Sequence, residues 1–392
     1  MLGWAVVVLL LCAGGLLLAL PRVELASFVA GRASAALGRA VEIAGLRILP
    51  GRDITIDLSG LRIANIPGGS APDMARLEKL SARISLPALL RGALVVRDAE
   101  MLGFTLLLEK DGEGRRNWRF GGDRRPVPGA KPASLPLVHA LGLAGAEIVV
   151  RTSSGAALTT RIDRARLSSA DPMLATLIEA EGAYNGAPIT ARVDAGPLAA
   201  LREGRPLPVA LHARSGDTTL EFEGTARDPL NADGVEGRLA LAAPTPDALL
   251  GMAQAALPIS LDVAVEGTVR RDGNLWRMEG IEGRLFEAPF TGALVEMNEG
   301  DAGQPDAITA SLDFSRLDLN RILGPNRADR PGGADDSDLP LVVPERPDPR
   351  LDVRLGAGEL AYARLDARDV RLVAVQHPGR IAVEELLLTA SG

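Results

Sequence analysis

The sequence predicts a mainly β chain hung from one N-terminal transmembrane helix, with a few short helices among many strands. Three observations carry this. Leu2 to Leu20 contains no charged residue. Beyond Arg22, segment after segment alternates apolar with polar residues, the period of a strand with one buried face. The 43 Gly and 27 Pro are spread along the chain, as many turns require.

The apolar run comes first. About 19 residues at ~1.5 Å rise make a helix of about 28 Å, enough to cross a bilayer core. A cleaved signal peptide needs a basic start, a shorter apolar core and a small-x-small site. This run begins without Lys or Arg, and Leu18-Ala19-Leu20 is a poor cleavage site. Cys12 follows Leu11, which does not fit a lipoprotein box. Residues 1–22 are therefore read as an uncleaved anchor. Arg22, Arg32 and Arg39 follow it, so charge alone would place the domain in the cytoplasm.

Composition narrows the remainder. The 392 residues are 47% hydrophobic and 24% charged, which predicts a folded chain, and a net charge of −7 argues against nucleic-acid binding. Aromatics make up only 3%, so Ala, Val, Leu and Ile supply the apolar surface. Cys12 is the only cysteine and lies in the anchor, which leaves the rest without disulfides or thiolate metal sites.

In chain order, Glu24–Leu37 reads as a helix. Leu25, Phe28, Val29, Ala33, Ala36 and Leu37 lie near one face, and Gly38 is the stop. The period then changes to two. Asp53–Leu58 alternates, Ser59-Gly60 reads as a turn, and Leu61–Ala64 resumes. Leu80–Leu86 follows, then a helical knuckle over Pro87–Gly92 and strands at Leu94–Arg97 and Phe104–Glu109. After a turn at Asp111–Gly114, Asn117–Phe120 begins again. Residues 23–120 form a first β region, and 121–136, dense in Pro, Gly and charge, form a linker.

Strands resume over 137–324, for example Glu147–Arg151, Leu158–Leu167, Pro188–Asp194 and the clean alternation Ile259–Val265. Short helices are expected from Thr245 to about Ala255 and over Asp318–Leu323. Residues 325–350 read as a disordered linker whose Asp335, Asp336 and Asp338 suit a solvated loop. Residues 351–392 echo an earlier stretch. Gly145–Val149 and Ile162–Leu167 reappear as Gly358–Tyr362 and Leu365–Leu372, the start of a further unit cut short at Gly392.

No catalytic constellation emerges. His139, His212 and His377 are far apart, without metal-ligand spacing. HExxH, GxSxG, Walker and dinucleotide motifs are absent, so the expectation is a protein that is not an enzyme and uses no cofactor. The apolar strand faces still need burial. A globular sandwich is one solution; an extended, curved sheet holding acyl chains on a concave apolar face is the other.

Several motifs in order and spacing resemble the AsmA family of envelope proteins. They are Gly38–Ile43, Leu61–Gly68, Ala71–Leu77, Leu89–Gly92, Leu108–Gly112 with Gly114, and Asn117–Phe120. Glu181-Gly182, Asn185–Pro188, Ser311–Asp313 and Leu317–Leu319 fit too. The resemblance implies a chorein-like N-terminal end and an elongated, curved antiparallel β-groove, similar to bridge-like lipid-transfer proteins. It implies one helix in the inner membrane with the domain in the periplasm, against the charge signal. It also implies a role in phospholipid transport between inner and outer membranes and in outer-membrane homeostasis. Its partners would be phospholipids and envelope proteins, not nucleic acid. The groove-lining candidates are the apolar partners in the clean alternations: Ile54, Ile56, Leu58, Ile84, Leu86, Leu106, Ile259, Leu261 and Val263. The rival reading is a non-enzymatic assembly factor for outer-membrane proteins, acting through protein contacts at sheet edges.

Overall fold

The computed structural model describes residues 22–110, 115–118, 137–151, 157–171, 173–229, 233–244, 262–300, 304–323, 349–362 and 365–390. The Leu2–Leu20 run, most of both linkers, the expected helix from Thr245 and the turn Asp111–Gly114 lie outside them. The fold is mainly β, with 19 strands and four helices among the described residues. No described helix is long and apolar enough to cross a membrane. Two compact units divide the chain, Met1–Leu211 with Thr225–Asp228, and His212–Gly224 with Pro229–Gly392.

The first unit opens with α1 (Arg22–Leu37) and continues through β1 (Val41–Leu49), β2 (Asp53–Ala64), β3 (Asp73–Ser85), α2 (Leu86–Leu90) and β4 (Val95–Glu109). Then come β5 (Leu137–Val138), β6 (Ala140–Arg151), β7 (Ala157–Ser168), β8 (Thr176–Tyr184), β9 (Ala187–Ala195) and α3 (Ala199–Arg202). Next are β10 (Leu207–Ser215) and β11 (Thr218–Ala226), whose residues are divided between the units.

The expected start of α1 moves by two residues, and its stop holds. Gly38 at φ +67° donates its N–H to the Ser34 carbonyl at 2.9 Å, a left-handed cap that glycine takes without steric cost. The buried stripe is Ala26, Val29, Ala30, Ala33 and Leu37. Phe28 and Ala36, expected on that stripe, are exposed, because they fall outside the 26, 29, 30, 33, 37 spacing that forms one helix face. Ser85 caps α2, accepting from the Ala88 N–H at 3.4 Å. Leu86 thereby opens a helix instead of closing the strand in which the sequence placed it.

One expected turn is absent because a strand runs through it: Ser59-Gly60 sits within β2. The two strands expected at Leu94–Arg97 and Phe104–Glu109 are joined as one, β4, which begins at Val95. The reason is a phase change. On β2 the apolar set is Ile54, Ile56 and Leu58, then Leu61 and Ile63; on β3 it is Leu80, Ala82 and Ile84, then Ala75 and Leu77. One residue is skipped in each strand, which would normally turn the remainder inside out. The skipped positions align across the sheet, since Gly60, Gly103 and Gly145 fall between register pairs that bracket the same line. All three have positive φ, at +62°, +65° and +65°. These left-handed residues rotate the strand by half a pleat, so one face stays apolar on both sides of a transverse crease.

The pairings β1–β2–β3–β4 and β6–β7–β8–β9 are antiparallel, but β4 pairs with β5 and β6 in parallel. The second unit shows the same device. It contains β12 (Val235–Ala243), β13 (Val263–Asp272), β14 (Leu275–Leu285), β15 (Ala288–Asn298) and β16 (Ala307–Asp318). These are followed by α4 (Leu319–Leu323), β17 (Arg350–Tyr362), β18 (Leu365–His377) and β19 (Arg380–Ala390). Here β16 pairs with β17 in parallel and the other neighbours from β12 to β19 are antiparallel. The expected antiparallel sheet is therefore corrected at two seams, and each seam follows one of the sequence linkers. A parallel partner needs a crossover of roughly a dozen residues or more, and the sequence between β4 and β5 and between β16 and β17 is longer than that. The echoing segments of the sequence are the hairpins β6–β7 and β17–β18 just after these seams.

Candidate functional site

Register partners lie on one face, so the ladder assigns faces strand by strand. In the first unit one row runs Ile48, Ile56, Ala82, Ala99, Leu141, Leu167, Ile178, Val193. Beyond the crease another runs Val41, Ile63, Ala75, Leu106, Ile148, Thr160, Tyr184, Ala187. Both are almost wholly apolar across eight strands. The alternate rows are charged: Asp57, Ser81, Glu100, Gly142, Arg166, Glu179, Arg192.

The apolar face is covered unevenly. Over β1–β3 the α1 residues Ala26 and Val29 close onto Leu46, Ile54, Ile56, Leu58 and Ile84. Further along the helix, Ala33 and Leu37 close onto Val41, Ile63, Met74 and Ala75. At the end of β9, α3 buries Leu201 with Ala195 and Leu207. Between these lids, on β6, β7 and β8, Leu141, Leu143, Ile148, Ile162, Leu167 and Ile178 are only half-buried.

This distribution sorts the sequence candidates. Ile54, Ile56, Leu58 and Ile84 form a core beneath α1, each no more than 6% exposed, and Leu86 packs at its margin from α2. Leu106 borders the second core cluster and continues directly into half-buried Ile148. In the second unit, Val263 packs with Ile281, Leu285 and Phe290, where the Phe290 and Phe314 rings stand 5.0 Å apart. Ile259 and Leu261 lie outside the described residues. The strip the sequence reading missed is Leu141, Leu143, Ile148, Ile162, Leu167 and Ile178. Its alternation was legible, but only the position of α1 separates it from core.

The opposite face is built for water. Arg83 pairs with Asp98 at 2.6 Å, Arg164 with Glu181 at 3.0 Å and Arg192 with Glu179 at 3.3 Å, all between exposed side chains. Such pairs add little stability and keep the face hydrated. A depression of about 670 Å³ opens on this face beside the crease, lined by Gly45, Ser59, Lys79 and Ala144 among others. Among the described residues, no cluster of His, Cys, Asp or Glu has metal-site geometry.

One buried polar knot stands at the end of β4. The Glu109 carboxylate accepts from Asn65 Nδ2 at 2.6 Å and from the Ser70 N–H at 2.9 Å. Asn117, wholly buried, donates to the Asn65 side-chain oxygen and the Leu107 carbonyl and accepts from the Glu109 N–H. Burial alone pushes the Glu109 carboxyl up. The hydrogen bonds from Ser70 and Asn65 and the charge of Arg151 outweigh it, so the net shift is downward. The knot gathers three motifs that are widely separated in sequence, around Asn65, Glu109 and Asn117.

Comparison with known proteins bears on the same region. A family model described as the AsmA family matches residues 1–133. A protein of Escherichia coli (strain K12) named AsmA family protein YhjG is 28% identical over 153 residues, 38% of this chain. The match spans 22% of that protein's length. No solved structure matches. The family match contains the α1-covered sheet, the crease at Gly60 and Gly103, and the buried knot, and it is residues 1–133 that are similar to the AsmA family.

Proposed function

We propose that this chain is an inner-membrane-anchored protein whose domain lies in the periplasm and supports phospholipid transport between inner and outer membranes. Acyl chains lie along the half-buried apolar strip of β6–β8, and the head groups stay in water. The observation that carries this reading is the continuity of the apolar rows. They leave the core beneath α1 at β3 and β4 and run on through Leu141, Leu167 and Ile178 with no described helix packed on them. A two-tailed lipid hides on the order of 30 CH₂ groups, each worth about 0.8 kcal/mol, so even partial cover lowers the cost of leaving a bilayer. The role is physical and not catalytic. The Leu2–Leu20 run supplies the anchor, and the AsmA match favours the envelope.

The test is native mass spectrometry with lipid extraction, comparing wild-type chain with Ile148→Asp. Both carry the same apolar N-terminal run, so lipid held there cancels. Loss of bound phospholipid in the variant supports the strip. Equal lipid in two folded proteins would contradict it and turn attention to protein contacts at sheet edges.

A further inference from the structure

The two ends of the first unit's sheet differ in what they expose. At one end lie the β1–β2 turn, α2 and the loop from β7 to β8. The register fixes this, since Leu49 faces Thr55, Asp53 faces Ser85, Val96 faces Val138 and Ser168 faces both Ala140 and Leu177. Hydrogen bonds from His139 N–H to the Val96 carbonyl and from Ser169 N–H to the His139 carbonyl stitch these segments side by side. This end carries Leu49, Leu90, Met173 and Leu174, which are 52%, 79%, 59% and 58% exposed. Six strand spacings of about 4.8 Å separate β1 from β8, so the apolar tips span about 29 Å. Exposed Arg52 and Arg91 stand among them. The other end presents Pro67-Gly68-Gly69-Ser70 and Asn185-Gly186, with Trp118 partly covered by Arg116.

Which end faces the anchor follows from α1. Its N-terminal half, at Ala26 and Val29, packs on Ile54 and Ile84 near the apolar-tipped end, and its C-terminal half packs on Val41 and Ile63 near the other. The uncharged run Leu2–Leu20 is joined to α1 at Arg22, so the chain enters the unit at the end where the apolar tips are.

We infer that this rim is a membrane-contact edge that docks on the same bilayer the anchor crosses. Leu90, Met173 and Leu174 dip among the head groups, and Arg52 and Arg91 meet anionic phosphates. Apolar tips flanked by arginine are what an interfacial contact needs, and leaving them in water has no other described compensation. Docking would hold the open strip of β6–β8 within reach of lipid leaving the membrane. The inference rests on the anchored reading above, but not on lipid binding in the strip.

The experiment uses the full chain in a Cys12→Ser background, reconstituted in phosphatidylcholine–phosphatidylglycerol vesicles. Single cysteines carry an environment-sensitive fluorophore at Leu90→Cys, Leu174→Cys and, as a control near the opposite end, Pro188→Cys. Flotation with the vesicles reports anchoring independently. The expected result is blue-shifted emission at 90 and 174 that brominated lipid quenches, no quenching at 188, and weaker quenching when Arg52→Ala and Arg91→Ala are added. Protein that floats with all three labels equally unquenched would overturn the rim while leaving the anchor standing. Protein that fails to float would overturn both.

Discussion

The strands β1–β3 and the strands β6–β8 carry the same pattern on the same face, yet one set is core and the other is surface. Ile56 and Leu141 stand in one register row with two strands between them, and only Ile56 has a helix above it. Alternation reports that a face is apolar. It does not report what covers it, which is decided by where α1 enters and ends. The rows of this sheet are thus continuous in chemistry and discontinuous in cover, and the discontinuity is what the proposed function uses.

Substitutions can break this comparison. The largest expected effect is Ile56→Asp, a charge beneath α1 with no partner, costing about 4 kcal/mol or more and unfolding the N-terminal region. The same change at Ile148, on the half-buried strip, should cost about 1 kcal/mol and leave the circular dichroism spectrum unchanged. Similar losses at both positions in urea denaturation would mean that the two strips are not different. Next in size is Asn117→Ala, which strands the Glu109 N–H and removes the donors to Asn65 Oδ1 and the Leu107 carbonyl, and should cost about 2–3 kcal/mol by the same assay.

Acid acts on the same knot. Because the folded-state pKa of Glu109 is depressed, its stabilisation is complete above the ordinary carboxylate value. It is lost as pH falls through the folded pKa. Glu109→Gln should therefore lower stability at neutral pH and flatten its acid dependence; an unchanged acid profile would assign the knot no electrostatic part. Smaller again is Gly60→Ala. A Cβ there would stand 2.7 Å from the Ala44 Cβ on a backbone at φ +62°, so about 1–2 kcal/mol is expected. A neutral result in thermal melts would show that the crease tolerates a side chain.

Much of the architecture was legible in the sequence. The β class and α1 with its Gly38 stop follow from period and punctuation. What failed failed for identifiable reasons. Gly60 looks like a turn residue because a one-residue phase slip is the usual mark of a chain reversal, whereas here it keeps a strand's apolar face constant across a crease. Leu86 looks like the last residue of an alternation until Ser85 caps a helix at that point. The parallel seams depend on where a linker returns the chain, which local pattern does not encode. The groove candidates were chosen for clean alternation, and the cleanest alternations near the N-terminus are the ones α1 buries. The Asn65–Glu109–Asn117 knot was visible only as separated motifs, since its hydrogen bonds join residues up to 52 positions apart.

The most direct test places a photo-crosslinking amino acid at Ile148 or, one residue away on the charged face, at Glu147, in the full chain in cells. Phospholipid adducts at 148 and none at 147 are the result this account predicts. Equal adducts at both positions, or none at either, would contradict a lipid-binding apolar face.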